Sequence, residues 1–330
     1  MARLGHPTTG VWLLPLFLLA ATFDLCAGDR EAGTLRMVLA QGTSARLWIA
    51  RRALARGIPL LALSTLAIVA AGRVTDAEGL ETRLFLAVAV VLAYGLFWLA
   101  IAALVNTFAR SAASAATAVG AIWVIFVLVL PTLLNVVVEN LHPSPSRAEL
   151  VAEARAASGE AEQRGNEVLA SFYRDHPELA PPDMQADMMS RVLAVQEEVG
   201  RAMDPVRARF AEAIRKQQGL VDLWRFASPA ISVHEALADL AGTGYWRHRA
   251  FQEQVEVFKK DLSAFYSPKF HKREPLTKAD IPNIPSFWFV EEAPALWRGR
   301  VTTGLIGILA LALLAAVVAG LRLSPRQLAD

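Results

Sequence analysis

The reactive side chains of this chain do not form a catalytic motif. The histidines are scattered along the sequence, and His234-Glu235 is followed by Ala-Leu-Ala, so no HExxH zinc site is formed. The single cysteine, Cys26, allows neither an internal disulfide bond nor a cysteine-based metal site. The sequence contains no GxxxxGKS/T phosphate-binding loop and no GxSxG nucleophile motif. We therefore expect a chain without a cofactor of its own and without bond-making chemistry.

The densest cluster of basic side chains lies in residues 27–57. This stretch holds six arginines against two acids, Asp29 and Glu31. The arginines are Arg30, Arg36, Arg46, Arg51, Arg52 and Arg56. A short loop rich in arginine beside membrane spans is typical of the cytoplasmic side. Because the formal net charge of the whole chain is only +2, we expect no nucleic-acid partner.

The elements that must position this loop are strongly apolar. Hydrophobic residues make up 54% of the chain and charged residues 19%, whereas a soluble protein carries about 25% charged residues. Most of the charge lies in residues 141–298, between long apolar runs. Only helices satisfy their own backbone in lipid at this length and pattern. The sequence predicts an all-α membrane protein with about five transmembrane helices and an inserted all-α extracytoplasmic domain.

A helical span needs about 20 mostly apolar residues. The predicted spans are residues 9–27, 55–72, 84–106, 114–138 and 299–321. The first span is short and contains Pro15 and Asp24, so a signal peptide is the alternative. The basic residues follow this apolar run instead of preceding it, which favours a span.

The distribution of arginine and lysine in the short loops predicts the orientation. Residues 28–54 form a cytoplasmic loop, 139–298 an extracytoplasmic helical domain, and 322–330 a cytoplasmic tail. Asp24 is the only candidate for an ionisable group inside a span, and a position at the membrane interface is its simpler explanation. This argues against a proton-driven carrier.

The predicted extracytoplasmic domain contains several helical patterns. We expect helices at 146–171, at Ser232–Leu240 with Gly242 as its end, and at 245–265. One apolar stripe at helical spacing is typical of a buried helix face, and Asp204-Pro205 within it suggests a new helix start or a kink. The stripe comprises Met188, Val192, Val195, Val199, Met203, Val206, Phe210 and Ile214.

Aromatic residues precede the last span. Phe287, Trp288, Phe289 and Trp297 fit a belt at the membrane interface, and stacking on a ligand is the alternative. Five prolines between Ser267 and Trp297 preclude a long helix there.

The start of the basic loop resembles a known family signature. Phe23–Leu35, FDLCAGDREAGTL, resembles the segment of type-2 ABC transporter permeases in which a span runs into G-(E/D)-(R/K)-E-x-G-T-(L/F). In that family the segment forms an amphipathic coupling helix that docks on the ATPase subunit. The matching residues are Gly28, Asp29, Arg30, Glu31, Gly33, Thr34 and Leu35. The following LAQGTSARLWIARRAL is similar to the family's next stretch, with Gln41-Gly42 in place of the usual proline.

The resemblance extends to one subgroup of the family. LHPSPSRAEL at 141–150 and SPAISVHEALADLAGT at 228–243 look like the subgroup with a large extracytoplasmic domain before the last span. This resemblance implies a permease subunit in the bacterial inner membrane, paired with a second permease copy or homologue. ATP and Mg²⁺ would bind a separate cytoplasmic ABC ATPase subunit. The family has six spans, so we expect the amino-terminal first span to be missing here.

The charges of the motif also favour a helix on physical grounds, apart from the resemblance. Asp29 and Glu31 would lie in the first turn of one helix at 28–40, where carboxylates favour the helix dipole. The alternatives are an anchor on the lipid surface and, for the whole chain, a non-transporting membrane scaffold or sensor whose extracytoplasmic domain binds a partner. A membrane enzyme is a third possibility. We expect export, because nothing in the sequence resembles a docking surface for a soluble binding protein, and the sequence leaves the substrate open.

Overall fold

The computed structural model describes residues 7–73, 80–144, 146–180, 188–272 and 274–323. Within these ranges the chain is mainly helical and contains no strand, which confirms the predicted all-α membrane protein. Five helical segments of the described chain are long and apolar enough to cross a membrane. They are Gly10–Glu31, Ala45–Gly72, Leu80–Phe108, Ala112–Leu141 and Pro294–Arg322.

The amino-terminal half supplies four of these segments. Its helices are α1 (Pro7–Thr22), α2 (Ala27–Glu31), α3 (Thr34–Ala40), α4 (Ala45–Gly72), α5 (Leu80–Phe108), α6 (Ala112–Val124) and α7 (Leu130–Leu141), with a π-helical turn at Ile125–Val129 between the last two. The first helix ends at Thr22, short of the predicted 9–27. Helix α4 begins ten residues before the predicted 55–72, so four of the arginines predicted in or at the edge of a loop lie on a helix.

The rest of the described chain forms five further α-helices and the last span. They are α8 (Arg147–Gln163), α9 (Gly165–Asp175), α10 (Met188–Trp224), α11 (Pro229–Ala241), α12 (Tyr245–His271) and α13 (Pro294–Arg322). The predicted helix at 146–171 is divided at Arg164. Helix α10 continues through Pro205, so of the two predicted alternatives, a new helix start is wrong and a kink stays a prediction.

The described chain divides into two compact units. The membrane unit comprises Met1–Val136, Val221–Arg247 and Glu292–Asp330, and the helical unit comprises Val137–Leu220 and His248–Glu291. Residues 139–298, predicted as an extracytoplasmic domain, include parts of both units, because α11 belongs to the membrane unit.

Helix α5 is the centre of the membrane unit. It contacts α1, α4, α6, α11 and α13, and Tyr94 and Trp98 on it are fully buried. The hydroxyl of Tyr94 donates a hydrogen bond to the carbonyl of Val11, at 3.0 Å. Helices α4 and α5 approach closely at Gly57, where a Cβ would lie 2.8 Å from the side chain of Leu99. Such contacts position the ends of the spans relative to one another.

Helix α11 is buried among the spans. Ala230, Val233 and Ala236 are at most 4% exposed. The hydroxyl of Ser228, at its start, donates to the carbonyl of Phe126 in the π-helical turn, at 2.6 Å. A π-turn releases backbone carbonyls from their usual partners in the helix, so this hydroxyl satisfies a group that lipid could not.

An ion-pair network holds the other end of α11. The guanidinium of Arg300 on α13 lies 2.8 Å from a carboxylate oxygen of Asp239 and 2.7 Å from one of Glu292. Arg83 on α5 donates to the carbonyl of Leu240, at 2.9 Å. The predicted end of this helix at Gly242 is confirmed, with a left-handed φ of 70°.

The helical unit has a small aromatic core. Leu169 and Phe172 on α9 pack against Ala194 on α10. The imidazole of His271 stacks on Phe172, and its Nδ1 lies 3.2 Å from the hydroxyl of Tyr173. Burial, together with the nearby His176, lowers the pKa of His271. Of the predicted stripe on α10, Val195 and Met203 are buried, but Met188 is 81% exposed.

A chain segment without helix crosses α12 in the same unit. The side-chain amide of Gln254 makes two hydrogen bonds to the backbone of Val290, at 2.8 and 2.9 Å. Phe251 contacts both Phe287 and Phe289. Earlier in the segment, Lys269 and Thr277 bind the carboxylate of Asp280 and lower its pKa to about 2. Two of the predicted belt aromatics thus pack on their own unit, and Trp288 is 80% exposed.

Candidate functional site

The candidate site is the break between α1 and α2 and the two short helices that follow. We call residues 24–40 the anchored segment. Its start is organised by Asn106, a fully buried side chain near the end of α5. The amide oxygen of Asn106 accepts hydrogen bonds from the backbone N–H groups of Leu25, Cys26 and Ala27, at 2.9–3.2 Å.

The amide nitrogen of Asn106 completes this arrangement. It donates to the carbonyl of Phe23, at 2.8 Å, and to the carbonyl of Ala102 on its own helix, at 2.9 Å. A helix that ends within the membrane leaves backbone groups unpaired, and each unpaired group is costly in lipid. One side chain therefore satisfies both sides of the break and fixes α2 to the end of α5.

Arginines of α4 hold the same break from the other side. Arg56 donates to the carbonyl of Asp24, at 2.6 Å, and Arg52 to the carbonyl of Leu25, at 2.8 Å. Arg52 also forms an ion pair with Asp29. The carboxylate of Asp24 accepts a hydrogen bond from the N–H of Gly28, in the first turn of α2, at 2.8 Å. A Cβ on Gly28 would lie 2.6 Å from this carboxylate, which explains the glycine at that position.

The next two motif residues reach the turn between α5 and α6. Arg30 donates to the carbonyl of Ala109, and the carboxylate of Glu31 accepts from the N–H of Ala112, at 3.1 Å. Ala109 follows the last residue of α5, and Ala112 is the first of α6. The positively charged arginine therefore binds a carbonyl group at the carboxyl end of α5, and the negatively charged glutamate binds an N–H group at the amino end of α6. These are the backbone groups that helix ends leave unpaired.

The anchored segment contains two helices where the sequence predicts one. Gly33 has a left-handed φ of 74° and separates α2 from α3, so the prediction of a single helix at 28–40 is wrong. A glycine adopts this conformation without steric strain. After it, the hydroxyl of Thr34 donates to the carbonyl of Asp29, at 3.2 Å, and Leu35 is buried in the core of the membrane unit.

The predicted site residues therefore differ in exposure. Gly28, Asp29 and Arg30 are partly buried and Leu35 is buried, whereas Glu31, Gly33 and Thr34 are exposed. The outer surface of α3 adds Arg36 and Met37, the latter 69% exposed. The structure brings all seven predicted residues into one segment, and it leaves a free face formed by residues 31–34, 36 and 37.

Sequence reasoning missed three residues of the site: Asn106, Arg52 and Arg56. The signal for Asn106 was an amide side chain at the end of an otherwise apolar span, where polar groups are rare and need a partner. The two arginines were counted for topology alone. Their spacing of four residues places them on one face of α4.

Comparison with known proteins gives one match. Residues 147–290 are similar to a family described as "Domain of unknown function (DUF3526)". This range is less than half of the chain, includes parts of both units, and excludes the anchored segment. No curated protein and no solved structure matches the chain. Within the described ranges, no group of three or more histidine, cysteine or acidic side chains is placed to hold a metal ion.

Proposed function

We propose that this chain is the membrane-spanning permease subunit of an ATP-driven type-2 ABC transporter in the bacterial inner membrane, and that it works as an exporter. The free face of the anchored segment docks on a separate cytoplasmic ATPase subunit that binds ATP and Mg²⁺. A second permease copy or homologue completes the transport path. The chain itself performs no hydrolysis.

The main observation that supports this proposal is the attachment of the anchored segment to three spans. Asp29 binds α4 through Arg52, Arg30 binds the end of α5 at the carbonyl of Ala109, and Glu31 binds the start of α6 at Ala112. A partner that moves the free face therefore pulls on the ends of these spans together. Three attachments to different helices are more than a simple anchor on the lipid surface needs.

The resemblance of Phe23–Leu35 to the permease signature supplies the second argument. Among the residues that carry the resemblance, Asp29, Arg30 and Glu31 make the attachments, and Gly33 separates these three from the exposed surface of α3. We infer that Asp29, Arg30, Glu31 and Leu35 transmit force within the chain. Arg36 and Met37 contact the ATPase.

Site-specific cross-linking tests the docking surface. A photo-reactive amino acid at position 37 is introduced into the full chain in its native host, and the cross-linked protein is identified by mass spectrometry. The expected product contains an ATPase with a phosphate-binding loop. Met37→Asp should abolish co-purification of this ATPase, because a carboxylate would replace an apolar contact at a side chain that is 69% exposed.

Met188→Asp is the matched control. Met188 is 81% exposed in the helical unit, so the same substitution should leave co-purification unchanged. Capture of a protein without a phosphate-binding loop, or equal co-purification with Met37→Asp, would overturn the proposal. The first of these results would favour a membrane scaffold or sensor.

A further inference from the structure

A groove lies between the end of α5 and the start of α6, at one end of the membrane unit. Its volume of about 460 Å³ falls within the range of about 300–1,000 Å³ that is typical of small-ligand sites. The lining residues are Val105, Phe108, Ala109, Arg110, Ser114 and Ala118. The proposed function does not use this groove.

The walls of the groove are apolar and lie at the ends of spans. Phe108 is the last residue of α5 and is 54% exposed. Ala118 lies six residues beyond the start of α6, a distance of about 9 Å along a helix. The groove therefore extends from a helix end into the apolar part of two predicted spans, where an acyl chain of a lipid would lie.

The rim of the groove is basic. Arg110 forms part of the lining and is exposed. Arg322, the last residue of α13, places its guanidinium 4.7 Å from the centre of the Phe108 ring. Among the described residues, none of those that line the groove carries a carboxylate. The acid attached to the same turn, Glu31, accepts the N–H of Ala112.

We propose that this groove binds an anionic phospholipid, with an acyl chain along Phe108 and Ala118 and the headgroup phosphate at Arg110 and Arg322. Arginine suits this role because its planar guanidinium can donate two hydrogen bonds to one phosphate. Basic pockets between spans bind acidic headgroups in this way. The inference rests on the membrane unit alone and does not depend on an ATPase partner.

Lipid titration of the purified chain tests the proposal. The full chain in neutral detergent is titrated with palmitoyl-oleoyl phosphatidylglycerol or with the phosphatidylcholine of the same acyl chains, and bound lipid is counted by native mass spectrometry. Two arginines near a headgroup should give phosphatidylglycerol roughly tenfold or greater preference. Arg110→Ala/Arg322→Ala should remove this preference, and Arg110→Lys/Arg322→Lys should retain part of it.

Two arginines at other span ends, away from the groove lining, offer a matched control. Arg298 lies 5.3 Å from the ring of Trp297 at the start of α13, and Arg73 follows the last residue of α4. Arg73→Ala/Arg298→Ala should keep the full preference. Ala118→Leu should weaken binding of both lipids, because it fills the groove. Thermal unfolding of each variant confirms that it is folded.

Three results would overturn the proposal. One is equal binding of the two lipids by the unmodified chain. Another is an equal loss of preference in the control variant, which would indicate general attraction to positive charge. The third is complete competition by millimolar inorganic phosphate, which would indicate a site for a free anion instead of a lipid.

Discussion

At the scale of single residues, Asn106 determines where the first span stops. Its side chain makes five hydrogen bonds to backbone groups, three of them to consecutive N–H groups at the break. A buried amide in an apolar environment is unfavourable unless its polar atoms are paired. Here pairing is complete, so Asn106 on α5, together with Arg52 and Arg56 on α4, makes the break between α1 and α2 a defined structure.

Asn106→Ala should strongly destabilise the membrane unit. The variant leaves the N–H groups of Leu25, Cys26 and Ala27 buried without their acceptor, and each such group costs about 1–3 kcal/mol. We expect the free energy of unfolding to fall by roughly 3 kcal/mol or more, measured by unfolding in detergent. Asn135→Ala is the control, because Asn135 is exposed on α7. Equal shifts for both variants would contradict the role assigned to Asn106.

The sequence predicted the cluster of site residues but not their partners. Asp29, Arg30 and Glu31 stand out because they are charged and lie beside a long apolar run. Their partners lie 23 to 81 residues away, at Arg52, Ala109 and Ala112. Two of these partners are backbone groups of alanines, which carry no side-chain signal. Pairings between unrelated parts of the chain leave no periodic pattern, so they become visible only in three dimensions.

At the scale of elements, the left-handed turn at Gly33 separates the attached part of the anchored segment from its exposed part. The position has open space around it, because no atom lies within 4 Å of the place that a Cβ would occupy. A substitution there acts on the backbone alone. Gly33→Ala should lower the thermal unfolding midpoint, because a left-handed alanine costs roughly 1–2 kcal/mol.

The alternative response to Gly33→Ala is fusion of α2 and α3 into one helix. This would rotate Leu35 out of the core, so tryptic cleavage at Arg36 should become faster and co-purification of the ATPase weaker. Gly120→Ala is the control, since Gly120 lies inside α6 with equally open space. That variant should be neutral or stabilising by up to about 1 kcal/mol. A neutral Gly33→Ala would show that the turn carries no strain and no function.

Long apolar runs made the five spans predictable, whereas α11 was misplaced. Its thirteen residues are too few to span a membrane, and its mixture of alanine and polar residues resembles a surface helix. It is buried because it packs against α1, α5 and α13, and contacts to Phe126 and Arg300 hold its two ends. Prolines and glycines in the sequence predicted several helix ends correctly. Pro205 did not interrupt α10, because the helix propensity of a single residue is a weak guide inside a long helix.

At the scale of the whole molecule, the orientation of the chain decides what the anchored segment can contact. The arginines of 27–57 predict that this segment faces the cytoplasm, and the same rule predicts that residues 139–298 are extracytoplasmic. Cys26 is 1% exposed and should react slowly with thiol reagents. The chain therefore provides a low background for single introduced cysteines.

Labelling of Met37→Cys and Met188→Cys in sealed right-side-out membrane vesicles should reveal the orientation. Both positions are well exposed in the chain, at 69% and 81%, so in the absence of a bound partner their accessibility depends on the side of the membrane. A membrane-impermeant maleimide should label Met188→Cys directly and Met37→Cys only after permeabilisation. Labelling of Met37→Cys in sealed vesicles would place the free face outside the cell, where no ATP-driven partner could dock. The proposed transport function would then fail, whereas the phospholipid groove would stand and belong to the outer leaflet.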